Sequence, residues 1–81
     1  MITNTELDTM DMMEIDNAVR GTVLDFYSAM NSKLWISEMM EAHEEYTNAV
    51  NIDIIDEDEV RDCADAIINI YRQAMASEVA A

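Results

Sequence analysis

Residues 53–71, DIIDEDEVRDCADAIINIY, carry seven carboxylates between Asp53 and Asp65 and then give way to an apolar run. Wound as a helix from about Asp56, the 3.6-residue period puts Val60, Cys63, Ala64, Ile67, Ile70 and Tyr71 on one face. It puts Asp58, Asp62 and Asp65 on the opposite face. A helix divided in this way needs a core on one side and concentrates negative charge on the other. The consecutive acids Asp56, Glu57, Asp58 and Glu59 suit a helix N-terminus, where a well-placed carboxylate contributes ~0.3–1 kcal/mol through the macrodipole. Four adjacent acids also repel one another, so capping alone does not account for the cluster.

Working outward, residues 51–55 read as a link, and before them the helical period returns as Ile36, Met39, Met40, His43, Tyr46, Thr47 and Val50. Asn31 and Ser32 are favoured N-cap types, so the spacing predicts a helix over about 33–49. Glu38, Glu41 and Glu45 fall opposite its apolar face, repeating the division seen in the last helix. Further upstream, Thr5 is a capping residue with Asp8 three positions on. From there Met12, Ile15, Val19, Val23, Phe26 and Met30 form one long stripe. Gly21 lies off that stripe and costs ~1 kcal/mol relative to Ala inside a helix, which makes it the expected point of division if the segment is split. Met13 and Leu24 also fall off the stripe, as expected of a helix sandwiched between two others or of a second contact surface. The chain ends, about 1–5 and 77–81, are expected to fray.

No proline and a single glycine occur in 81 residues, so the usual breakers are nearly absent and long helices with short links are favoured. The expected fold is therefore an all-α small bundle of three main helices, four if the first is split near Gly21. Its length allows one acidic helical domain over 1–81, since a short chain cannot support two cores. A composition 51% hydrophobic is too apolar for a disordered acidic tail.

Eighteen acidic residues against four basic ones give a formal net charge of −14. That balance repels nucleic acid and anionic membranes and attracts basic protein surfaces. Direct DNA or RNA binding depends on Lys and Arg neutralising phosphates, and only Arg20, Lys33, Arg61 and Arg72 are available. No window approaches the ~20 apolar residues of a membrane span, and the N-terminus lacks a basic region followed by an apolar run. Cys63 stands alone, so an internal disulfide is excluded and a reducing, cytoplasmic setting is expected. Its place on the apolar face marks it as a buried structural thiol.

Motifs for chemistry are missing. Acid/base catalysis needs paired carboxylates in environments that separate their pKa values, whereas these acids fall on solvent faces. An EF-hand loop counted from Asp53 fails at position 3 (Ile55), position 6 (Asp58) and position 12 (Ala64). His43, the single histidine, lies on the apolar face of its helix and cannot anchor a multi-His metal site. No cofactor is implied by these residues. Trp35 flanks the same face, as a core edge or as an interface anchor. The eight methionines suit adaptable core packing.

From Ser32 onward, the chain resembles the second half of an acyl or peptidyl carrier protein: a serine, a helix with Ile36, Met39, Met40 and Tyr46, then IDIIDEDEV and a closing amphipathic helix. The resemblance implies a phosphopantetheine group on Ser32. Asn31-Ser32-Lys33 after Met30 departs from the family's Asp-Ser-Leu with a preceding glycine, and the family's long first loop has no room before Ser32.

The residues themselves point instead to a non-enzymatic acidic protein-binding module or inhibitor. Carboxylates at i, i+3 and i+4 lie about 5–6 Å apart, a spacing comparable to the phosphates of one nucleic-acid strand. Its docking residues are then Asp53, Asp56, Asp58, Glu59, Asp62 and Asp65 with Glu38, Glu41 and Glu45, joined by Trp35. The expected partner is the basic surface of a nucleic-acid-binding protein, as for a phage-type antagonist of a restriction or CRISPR-like system in the host cytoplasm. A homo-oligomer pairing Met13, Leu24 and Trp35 between chains is the third expectation.

Overall fold

Thr3 opens the first helix, α1 (Asn4–Leu7), its hydroxyl accepting from the Glu6 amide. After a turn at residues 8–11, a reciprocal capping box starts α2 (Met12–Ala29). In it Asp11 Oδ1 accepts from the Glu14 amide at 2.9 Å, and Glu14 Oε1 accepts from the Asp11 amide at 3.2 Å, satisfying two amides that the helix leaves free. Met30 turns extended and ends α2, and α3 (Lys33–Val50) follows directly after Ser32. A link at residues 51–56 leads into α4 (Glu57–Ala80). There Asp56 Oδ1 accepts from the amides of Asp58 at 3.0 Å and Glu59 at 3.5 Å. The computed structural model describes residues 3–80, with side chains as far as Ser77, and these residues contain no strand. The protein is a small all-α bundle of three long helices and one short one.

α4 is the axis of this bundle. It packs against α3 most extensively, then against α2 and α1, whereas α2 and α3 barely meet. With 24 residues it is about 36 Å long at 1.5 Å per residue, close to the 41 Å length of the whole molecule. Phe26, Leu7, Ile15, Met39, Ile67, Ile68, Val19 and Val60 are fully buried, contributed by all four helices. Each large side chain of this kind stabilises by ~1.5–3 kcal/mol relative to exposure.

Four expectations are corrected. The first helical segment divides at residues 8–11, not at Gly21, which lies inside an unbroken α2. The ~1 kcal/mol intrinsic cost of glycine is outweighed by buried Val19, Thr22 and Val23 around it. Capping falls to Thr3 rather than Thr5. Of the ends expected to fray, residues 1, 2 and 81 lie outside the described residues. On α3 the buried face is Met39, Ala42, Tyr46 and Ala49, while Met40 is 60% exposed. Close helix approach to α4 favours the two small alanines over the larger methionine. On α4, Ile68 joins the buried set, because helices cover it from more than one side.

Candidate functional site

Successive steps of four, three and four residues trace two stripes along α4, one down each flank. Arg61, Asp65, Ile68 and Arg72 form the first, and the N-terminal segment lies on it. Asn4 Nδ2 donates to Asp65 Oδ1 at 2.8 Å, and Arg72 Nη2 donates to Asn4 Oδ1 at 2.8 Å. These partners fix the orientation of the Asn4 amide, since only its nitrogen donates and only its oxygen accepts. Arg61 Nη2 donates to the Met10 carbonyl at 2.9 Å and also stands 3.6 Å from Glu57. Leu7 is fully buried in the same docking. Asp65 is thus half-buried and engaged; the expectation that it extends an outward row is overturned, because its partner comes from α1.

The second stripe, Glu59, Cys63, Ala66 and Ile70, faces α3. Small side chains at Ala42, Ala49 and Ala66 leave two shallow grooves along this seam. One, of about 190 Å³, is bordered by Glu38, Glu41 and Glu45 over Ala42, Ala66 and Ile70. The other, of about 390 Å³, has Glu45 and Glu59 beside Asn48, Ala49, Ile52 and Cys63. Glu45 borders both, so the grooves follow one another along the seam. The Cys63 thiol is pushed up from its ordinary range by burial first, and then by the charges of Glu45, Glu59 and Asp62. It is therefore held protonated, the opposite of an activated nucleophile.

Among the other expected docking residues, Asp53, Asp56 and Asp62 are exposed, and the Asp58 side chain is 96% exposed. Asp56 also caps α4. Trp35 is half-buried and packed on the core. Ser32 sits half-buried at the N-cap of α3, and its hydroxyl makes no capping hydrogen bond. Met13 and Leu24 are 73% and 69% exposed.

One site escaped the sequence. Where α2 and α3 splay apart, a cleft of about 370 Å³ is bordered by Asp16, Val19, Arg20, His43, Tyr46, Thr47, Val50 and Asn51. Tyr46 Oη donates to Asp16 Oδ1 at 3.0 Å, and Arg20 Nε donates to Asp16 Oδ2 at 2.8 Å. Burial, followed by the hydrogen bond to Asp16, pushes the Tyr46 phenol well above its ordinary range. The available signals were the Asp16/Arg20 pair at i,i+4 and a tyrosine on an apolar face, whose hydroxyl needs a partner.

Among the described residues, no group of three or more His, Cys, Asp or Glu is placed to hold a metal ion, and no helix is long and apolar enough to cross a membrane. Comparisons with protein families, with characterised proteins and with solved structures give no match.

Proposed function

We propose that the protein acts without catalysis as a binding module, docking the α3/α4 seam on a basic protein surface in the place of a nucleic-acid backbone. One observation carries this reading: Glu38, Glu41, Glu45 and Glu59 border consecutive grooves that no basic side chain lines. The arginines are engaged elsewhere, Arg20 with Asp16, Arg61 with Met10 and Glu57, and Arg72 with Asn4. The negative potential of the seam therefore meets solvent without an internal counter-charge, and it steers association with a cationic surface. The narrowest form of the reading is a phage-type antagonist of a restriction or CRISPR-like complex, acting in the cytoplasm, where a lone thiol stays reduced.

Affinity capture at low and high salt, followed by elution with duplex DNA, tests it. A captured nucleic-acid-binding protein released by both salt and DNA, and lost by Glu38→Lys/Glu41→Lys/Glu45→Lys, is the expected result. A partner held equally at every salt concentration and indifferent to DNA would sink the mimicry. The free Ser32 hydroxyl at a helix start supports a second reading, a carrier bearing phosphopantetheine. Incubation with a phosphopantetheinyl transferase and coenzyme A settles that reading by whether the mass of the protein increases.

A further inference from the structure

The link between α3 and α4 leaves Ile52, Ile54 and Ile55 at 57%, 86% and 44% exposure. Burying a side chain of this size is worth ~1.5–3 kcal/mol, yet a short link holds three of them in water. Ile52 reaches the larger seam groove, where Ala49 and Cys63 give it apolar walls and Glu45 and Glu59 add carboxylates. α3 ends at this corner with no basic residue in its last turn, so the negative end of its macrodipole is uncompensated. Asp53 and Asp56 alternate with the isoleucines. The corner is apolar and anionic together, which selects the chemistry of what covers it. A second copy is disfavoured, because two chains of net charge −14 repel.

Resting on the reading that the seam docks a basic protein, we propose that this corner is the anchor of that interface. An Arg or Lys of the partner lays its aliphatic stem over Ala49, Ile52 and Cys63, with its cationic head between Glu45 and Glu59. An adjoining apolar side chain of the partner covers Ile54 and Ile55. Long basic side chains divide between apolar stem and charged head in this way, and interface energy concentrates at such anchors. Glu45 from α3 and Glu59 from α4 both border the groove in which Cys63 lies, so its two walls each bring a carboxylate to it. The seam along Glu38 and Glu41 then supplies steering, and the corner supplies residence time.

Two synthetic peptides of equal positive charge, one alternating arginine with leucine and one arginine with serine, serve as probes. Each is titrated at low salt into the full-length, isotope-labelled protein and followed by amide shifts. The arginine-leucine peptide should bind at least about tenfold tighter, with the largest shifts at Ala49, Ile52 and Cys63. Ile52→Ser/Ile54→Ser/Ile55→Ser should abolish that preference, so that the two peptides bind alike, while leaving the helical circular dichroism unchanged. Equal affinities, or a preference that survives the triple substitution, would overturn the anchor and leave the acidic seam standing. Failure of both peptides to bind would overturn the anchor and the basic-partner reading together. Self-association that the triple substitution removes would also overturn the proposal, assigning the link to contacts between copies.

Discussion

Both flanks of α4 carry charge, and they treat it in opposite ways. On the Arg61/Asp65/Arg72 flank, both signs are present and each group meets a partner from the N-terminal segment, at 2.8–2.9 Å. On the Glu59/Cys63/Ala66/Ile70 flank the nearest charges across the seam are Glu38, Glu41 and Glu45, all of one sign. A charged surface is closed by its own chain when the signs complement and stays open when they do not. One helix therefore supports the fold with one side and presents an unneutralised surface with the other.

The most severe way to break the comparison is in the apolar side chains beneath it. Ile68→Ala removes a fully buried side chain and should cost ~2–5 kcal/mol. Ile70→Ala, on the half-buried edge of the open seam, should cost less than half as much in the same urea titrations. Next is Asn4→Ala, which deletes both hydrogen bonds of the N-terminal tie and strands half-buried Asp65, for ~1–2 kcal/mol. Hydrogen exchange at Leu7 should accelerate accordingly, with little change at Met39.

Carboxylates on the two flanks should respond to removal with opposite signs. Asp65→Ala should destabilise by ~1 kcal/mol through the lost Asn4 contact. Glu38→Gln with Glu41→Gln should stabilise by a few tenths, because like charges at i,i+3 repel. Thermal melts at low salt report both, and added salt should shrink the second effect.

The smallest effects are alkaline. Tyr46 and Cys63 both have folded-state pKa values raised above their ordinary ones, so each contributes stability that is present at lower pH and lost as pH rises. For Cys63 the loss starts above its ordinary value of 9.0, and for Tyr46 above 10.0. Melting temperatures followed upward from pH ~8.5 should fall less in Cys63→Ala and in Tyr46→Phe than in the parent. The onset should come earlier for the thiol on the open seam than for the phenol tied to Asp16.

Much of the fold was legible because it rests on local rules. Ser32 and Asp56 start helices where their residue types predict, and Val60, Ala64 and Ile67 are buried as their period requires. The break at residues 8–11 is also written locally, as Asp11 and Glu14 ahead of an apolar run, whereas Gly21 breaks nothing. Its penalty is smaller than the packing that surrounds it. Met40 and Ala42 exchanged places because hydrophobic size ranks methionine first, whereas close helix contact rewards the small side chain. Asp65 and Asp16 were beyond reach for a different reason. Asp65 is held by Asn4, 61 positions away, and Asp16 by Tyr46, 30 positions away, and no periodicity reports pairings at that range. The acidic rows were visible, but which of them stays open depends on those pairings.

The central place of α4 also fixes an order of events during synthesis. α1, α2 and α3 are translated before the helix on which they pack, so Leu7, Ile15, Phe26 and Met39 emerge with their covering surface not yet made. The tie between Asn4 and Arg72 spans 68 positions and closes only once both are free of the ribosome. Folding of this chain is consequently a late, collective event rather than a domain built up helix by helix. Until it occurs, the exposed core is accompanied by a chain of high negative charge, and the mutual repulsion of such chains holds them apart.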